Sequence, residues 1–201
     1  MVSFRESRTA KSLQISFSAE AQARSRYNFF ARRAEDDGYM QIARLFDETA
    51  AQEYEHALRF FKFFNGGELE TTWPFPTGVI EDTRANLLSS AELELYVHDT
   101  MYKGFADIAR EEGFKRAADT FDAIIVAERH HEDIFRELAA NIDSGRVFAR
   151  TEERTWKCLG CGYLHKGTEA PEKCPACVRK QAYFELLGKN WTCWAGVAGQ
   201  R

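Results

Sequence analysis

Two Glu-x-x-His pairs are the residues in this sequence whose types and spacing most clearly allow chemistry. Glu53 and His56 form one pair, and Glu128 and His131 repeat it 75 positions later. The i, i+3 spacing projects a carboxylate and an imidazole to one side of a helix, where the Glu can bridge two metal ions while the His binds one. Both pairs interrupt apolar stripes, and burying such groups without partners would cost several kcal/mol each. The pairs therefore indicate a buried metal site.

Two further glutamates at core spacing could complete that site. Glu20 lies among apolar residues of the first predicted helix, and Glu94 lies among those of the third. A Glu from each of two helices plus a Glu-x-x-His from each of the other two is the ligand set of ferritin-like di-iron proteins. Oxygen and imidazole ligands suit iron or manganese. The offset between Glu20 and Glu94 is one position shorter than that between the pairs, and the alternative is an ordinary bundle that buries four Glu by coincidence.

Four cysteines near the C-terminus form a second candidate metal site. Cys158 and Cys161 are followed, after twelve residues, by Cys174 and Cys177. Two Cys-x-x-Cys pairs at this separation close a tetrahedral four-sulfur site. The site holds either structural zinc or one redox-active iron, because both ions accept four thiolates. Cys193 lies outside the pattern and is expected to be a free thiol.

An internal repeat organises the helices that must position the first site, with corresponding residues offset by 75 positions. Apolar periodicity predicts one helix that ends near residue 35 and others over 39–64, 83–113 and 114–142. Thr83 is the expected N-cap of the third helix. Residues 143–155 are polar and lack an apolar period, as expected of a linker. The sequence thus predicts an all-α four-helix bundle followed by a small metal-binding module.

Charge and hydropathy exclude several classes of function. The chain has 27 Lys and Arg against 31 Asp and Glu, a formal net charge of −4, so a nucleic-acid partner is not expected. No apolar run approaches the roughly 20 residues of a membrane span. The start of the chain lacks the apolar stretch of a secretory signal, and the Cys-x-x-Cys pairs suit metal binding in a reducing compartment. We expect a cytoplasmic protein without a membrane partner.

Several segments resemble rubrerythrin over nearly the whole chain. That family's four helices are similar to AEAQARSRYNFFA, EYEH, TMYKGFADIAREEGF and VAERHHE. Its rubredoxin-like tail resembles WKCLGCGYLHKGTEAPEKCPAC followed by AYFELLGKNW, which favours iron over zinc there. The resemblance implies a ferritin-like di-iron bundle, which we predict for residues 1–145, and a small C-terminal rubredoxin-like metal-binding domain, which we predict for residues 155–192.

The same resemblance implies a function. It implies a non-haem di-iron peroxidase that reduces hydrogen peroxide to water in oxidative stress protection, with electrons passed through the four-cysteine iron. The electron donor would be a protein such as rubredoxin with its reductase, and the subunits would form head-to-tail homodimers. Tyr27 and Tyr102 would donate hydrogen bonds to the site. The di-iron ligands would be Glu20, Glu53, His56, Glu94, Glu128 and His131.

Two alternatives to this function remain open at this point. A ferroxidase or iron-handling protein would use the same bundle, although the fused redox module would then have no evident purpose. A metal or oxidant sensor would use the tail as a zinc-held module.

The chain departs from the family at one position. The family usually carries a further Glu three residues after the ligand on the third helix, and this chain has Val97 there. In the family that Glu replaces a His when one iron changes oxidation state. Either the site works with five protein ligands and a water, or His98 or a rotated neighbour substitutes for that Glu here.

Overall fold

The structure is a computed structural model that describes residues 3–188. The chain divides into two compact units, Met1–Ile142 and Asp143–Arg201. The domain bounds expected from the sequence stay predictions, and the expected free thiol of Cys193 lies outside the described residues. None of the described helices is long and apolar enough to cross a bilayer.

The first unit consists of helices that follow a short 3₁₀ turn at Phe4–Glu6. Gly38 and Gly113 adopt positive φ angles of 87° and 84°, which allow the chain to reverse direction after the first and fourth helices. Residues 62–82 form neither helix nor strand and connect the second helix to the third. In chain order the elements are α1 (Arg8–Asp36), α2 (Met40–Phe61), α3 (Thr83–Tyr96), a π-helical segment (Val97–Met101), α4 (Tyr102–Glu111) and α5 (Lys115–Asp143).

The third bundle helix differs from its prediction. The sequence predicts one continuous helix over 83–113, whereas the structure divides it into α3, the π-helical segment and α4. Apolar periodicity does not reveal this break, because a π-helical turn adds one residue without interrupting the helix. The N-cap is Asp82 rather than Thr83, since the Asp82 side chain accepts a hydrogen bond from the Ala85 N–H.

Two apolar clusters fill the bundle, and the candidate ligands lie between them along the helices. One cluster contains Leu13, Phe60 and Phe121, and the other contains Tyr27, Phe46 and Phe135. Glu20, Glu53 and Glu128 each lie seven residues from one member of each cluster. Seven residues are about two helical turns, so each carboxylate points in the same direction as the core residues on either side of it.

The second unit contains a three-stranded antiparallel sheet of order β2-β1-β3, built from β1 (Ala149–Cys158), β2 (Leu164–Glu169) and β3 (Phe184–Leu186). Trp156 and Phe184 are fully buried in its core. The linker predicted over 143–155 is wrong in its second half, because β1 begins at Ala149. Residues 151–154 of β1 are exposed and polar, and the register with β2 is irregular between Ala149 and Arg154, so this part of the strand lacks the apolar alternation that would predict it.

Candidate metal centres

The bundle brings all six predicted ligands together. They form two overlapping groups that share Glu53 and Glu128, and within each group the possible ligand atoms all lie within 4.8 Å of one another. One group adds Glu20 and His56, and the other adds Glu94 and His131. All four carboxylates are at most 3% exposed.

Glu53 and Glu128 each present one oxygen to each histidine. His56 Nδ1 lies 2.9 Å from Glu53 Oε2 and 3.0 Å from Glu128 Oε1. His131 Nδ1 lies 2.8 Å from Glu128 Oε2 and 3.0 Å from Glu53 Oε1. A carboxylate whose two oxygens face two separate imidazoles has the orientation that a bridge between two metal ions requires.

The charges of this cluster favour the binding of cations. Burial raises the pKa of Glu53, but the close contacts with His131 and His56 outweigh it and lower that pKa to about 2. Burial lowers the pKa values of the two histidines, but the close carboxylates of Glu128 and Glu53 outweigh it and raise them to about 9 for His56 and about 11 for His131. Without metal, the centre of the cluster is therefore held by buried ion pairs, a costly arrangement that metal ions can replace.

Two observations show that the residues fit a pair of divalent ions. Burial, followed by repulsion from Glu128 and Glu53, raises the pKa values of Glu20 and Glu94 well above their usual range. In addition, Glu53 Oε1 and Glu128 Oε1 are buried and accept no well-formed hydrogen bond, although each lies 3.0 Å from a histidine nitrogen. Four carboxylates against two imidazoles leave buried oxygen lone pairs without donors, and divalent cations, which favour the ionised form of every carboxylate, can take them up.

The two predicted tyrosines link the halves of the bundle crosswise. Tyr27 on α1 donates its hydroxyl hydrogen to Glu94 on α3, and Tyr102 donates to Glu20 on α1. Both rings are fully buried. Burial, followed by the charge of the partner glutamate, raises the pKa of each phenol. Each tyrosine therefore stays protonated and able to donate.

The π-helical segment explains why the offset between the two halves is not constant. Glu20 and Glu94 are offset by 74 positions, whereas Tyr27 and Tyr102 are offset by 75. Val97–Met101 lies between Glu94 and Tyr102. The additional residue of the second half is thus absorbed at the candidate site, as is common for π-helical turns.

Val97 lies beside the cluster of predicted ligands. Val97 is 8% exposed and, with Glu20, Tyr27 and Glu94, lines a cavity of about 30 Å³. His98 does not belong to either group of possible ligands, because its Nε2 lies 2.6 Å from Glu132 Oε2 on α5. The chain therefore directs His98 toward Glu132 rather than into the position that Val97 leaves without a carboxylate.

Sequence reasoning missed one residue that contacts a predicted ligand. His131 Nε2 lies 2.8 Å from Oε1 of Gln52 on α2. Gln52 directly precedes Glu53, and its signal in the sequence is a difference between the two halves, because the corresponding residue 75 positions later is Ala127.

The four cysteines of the second unit converge as predicted. Their sulfurs lie within 4.8 Å of one another, with Cys158 3.6 Å from Cys177 and Cys161 3.7 Å from Cys174. Burial raises the pKa of Cys174, but backbone N–H groups of the second Cys-x-x-Cys turn lower it to about 7. Such N–H groups stabilise thiolates, the form that binds metal.

Comparison with known proteins identifies the family. The model of the family Rubrerythrin matches residues 11–139, and that of the rubrerythrin rubredoxin-like domain matches residues 156–185. The chain belongs to the rubrerythrin family. It is 52% identical to rubrerythrin of Nitratidesulfovibrio vulgaris over 95% of this chain and 100% of that one. It is 48% identical to rubrerythrin of Porphyromonas gingivalis over 94% of each.

Solved structures agree with this assignment. Nigerythrin in its mixed-valence state is 32% identical, with a TM-score of 0.60 and coverage of 93% of this chain and 92% of that one. A bacterioferritin of Rhodobacter capsulatus, 24% identical with a TM-score of 0.59 over 68% of this chain and 86% of that one, shares the fold. The predicted fold class, a ferritin-like four-helix bundle with a C-terminal rubredoxin-like domain, is confirmed.

Membership in the rubrerythrin family defines the cofactors and the broad function. The chain carries a di-iron site in its ferritin-like part and a four-cysteine metal site in its rubredoxin-like part. It is an iron-binding oxidoreductase with a role in oxidative stress.

Proposed function

We propose that this chain is a peroxidase that reduces hydrogen peroxide to water at the bundle site. The observation that carries the proposal is that Glu53 and Glu128 each present one oxygen to each histidine, with Glu20 and Glu94 at the two ends of the cluster. In this assignment Glu53 and Glu128 would each be a ligand to both irons. The remaining ligands, one carboxylate and one imidazole for each iron, are Glu20 with His56 and Glu94 with His131.

The reaction needs two electrons and two protons, because cleavage of the O–O bond of one peroxide yields two waters. When bound, two ferrous ions would supply the two electrons, and iron in the four-cysteine site would return electrons to the oxidised pair. Tyr27 holds Glu94 and Tyr102 holds Glu20 in fixed orientations. Each tyrosine hydroxyl also keeps a proton beside the site at the start of the reaction.

The cavity beside Glu20, Glu94 and Val97 suits a small substrate. Its volume of about 30 Å³ accommodates a molecule close to the size of water. Val97 leaves the adjacent position without a carboxylate, so the six proposed protein ligands leave room there for a water or for peroxide. Larger organic peroxides would have to displace the residues that line this cavity.

The rubredoxin-like part gives the electrons a route. We propose that Cys158, Cys161, Cys174 and Cys177 hold iron, that a rubredoxin-type donor with its reductase delivers electrons to it, and that the chain forms a head-to-tail homodimer. The four-cysteine cluster suits a reducing cytoplasm. A ferroxidase would leave this module without a role, which is why peroxide reduction is the better interpretation.

One kinetic experiment tests the proposal. Fully reduced protein is mixed with hydrogen peroxide or with O2, and the return of the ferric four-thiolate absorption is followed in time. We expect peroxide to oxidise the protein at least about tenfold faster than O2, and Glu128→Ala to abolish the fast phase. A faster reaction with O2 would favour a ferroxidase. A tail that contains zinc and shows no redox change would favour a sensor.

A further inference from the structure

The two halves of the bundle site differ in one hydrogen bond. His131 presents Nδ1 to Glu53 and Glu128, and its Nε2 lies 2.8 Å from Gln52 Oε1. His56 also presents Nδ1 to the carboxylates. The residue that corresponds to Gln52 in its half is Ala127, whose methyl side chain cannot accept a hydrogen bond.

This difference matters because an imidazole binds metal through an unprotonated nitrogen. Since Nδ1 faces the cluster in both histidines, the proton of the metal-binding form must be on Nε2. An acceptor at Nε2 selects that tautomer, fixes the ring and makes Nδ1 a stronger ligand. Gln52 Oε1 is such an acceptor for His131. His56 has no such acceptor from the corresponding position, and its side chain is 15% exposed against 2% for His131.

We propose that Gln52 is a positioning residue that makes the metal position beside His131 the tighter of the two and leaves the position beside His56 the weaker. The inference rests on the ligand assignment of the proposed function. Gln52 is an exposed residue of α2 whereas His131 lies on α5, so a purely structural role as a link between helices is the alternative. Such a link would change stability without changing the affinity of one metal position selectively.

Stepwise cobalt(II) binding separates the two roles. The full chain, with zinc in the four-cysteine site and with an emptied bundle, is titrated with cobalt(II) while its visible absorption is followed. We expect two bundle sites of unequal affinity in the natural protein. His131→Ala should remove the tighter one and His56→Ala the weaker one, which assigns each site.

Three variants then test Gln52. Gln52→Leu should weaken the tighter site by about 10- to 100-fold and leave the weaker one unchanged. Gln52→Glu retains an acceptor and should preserve the tight site. The matched change Ala127→Gln supplies the missing acceptor and should tighten the weaker site.

The outcomes distinguish this inference from the proposal on which it rests. A bundle that binds fewer than two cobalt ions overturns the ligand assignment, and the role of Gln52 with it. If two cobalt ions bind with the same affinities in the natural protein and in Gln52→Leu, only the role of Gln52 is overturned. A fall in thermal stability of Gln52→Leu without a change in either affinity assigns the hydrogen bond to structure alone.

Discussion

Tyr27 on α1 and Glu94 on α3 form a buried hydrogen bond that joins the first half of the bundle to the second. Tyr102 and Glu20 form the same bond in the opposite direction. Each half therefore orients a proposed ligand of the other half. The two glutamates are 74 positions apart in the sequence, whereas the two tyrosines are 75 apart. The crosswise arrangement is kept because the π-helical segment Val97–Met101 accommodates the additional residue.

The tyrosine pair leads to the first prediction. Tyr27→Phe and Tyr102→Phe should each lower peroxide turnover by about 10- to 100-fold, because each leaves a ligand carboxylate without its orienting donor. The two losses should be similar, since the two bonds are equivalent in the repeat. Turnover per bound iron pair is the measurement. Tyr54→Phe is the control, because Tyr54 is 45% exposed, and a loss as large in the control would show that the effect is not specific to the site.

The two cysteine turns of the tail lead to the second prediction. Gly162 and Val178 each follow the second cysteine of a Cys-x-x-Cys pair, with φ angles of 79° and 55°. A β-branched residue in this region is strained by about 1–2 kcal/mol, and glycine removes that strain at an entropic cost of about 0.5–1 kcal/mol. Val178→Gly should therefore slow metal release from the tail to a chelator several-fold.

The first turn supplies the matched control for that change. A Cβ added at Gly162 meets no atom within 4 Å, so Gly162→Val should accelerate release through strain of the backbone. Equal release rates in both variants and in the natural protein would show that the left-handed conformation at these positions has no energetic consequence.

The third prediction concerns pH and the start of α1. Glu112 accepts hydrogen bonds from the Thr9 N–H at 2.8 Å and the Thr9 hydroxyl at 2.6 Å. Burial raises the pKa of Glu112, but these bonds, with those from Arg8, outweigh it and lower that pKa from 4.5 to about 2. Because the pKa is lower in the folded state, the stabilisation is complete above about pH 4.5 and is lost as the pH falls toward 2.

Glu112→Gln tests that dependence. Its free energy of unfolding at pH 7 should be about 1 kcal/mol lower than that of the natural protein, and the difference should shrink between pH 4.5 and pH 2. Urea unfolding at several pH values measures it. Asp37→Asn is a parallel test, because Asp37 accepts the same two bonds from Thr83 at the start of α3. A difference that stays constant with pH would refute this account.

The sequence was sufficient to predict the bundle and the proximity of its candidate ligands, because repeated Glu-x-x-His pairs on apolar stripes direct carboxylates and imidazoles into one core, where they need partners. The π-helical segment left one trace in the sequence, the offset of 74 rather than 75 positions between Glu20 and Glu94, but apolar periodicity alone does not distinguish a π-helical turn from continuous α-helix. The contacts of Glu112 and Gln52 were missed for another reason. Both join residues far apart in the chain, and neither residue lies on an apolar stripe.

The fourth prediction concerns assembly. If the proposed homodimer transfers electrons between subunits, two inactive variants should complement each other. Glu128→Ala spoils the bundle site, and Cys174→Ser with Cys177→Ser spoils the tail. Mixed dimers, formed by unfolding and refolding the two together, contain one intact bundle and one intact tail on different chains. Activity with the external electron donor should return in them, whereas dimers that form and stay inactive would mean that each tail serves its own chain.

The central claim is that Glu53 and Glu128 bridge two irons that reduce peroxide. Its most direct measurement is peroxide consumption with bound iron and helix content determined on the same samples, for Glu53→Ala, Glu128→Ala and the exposed control Glu55→Ala. We predict that the first two lose bundle iron and more than about 100-fold of turnover while remaining helical, and that the control stays within about twofold of the natural protein. Unchanged turnover in either bridging variant would contradict the claim.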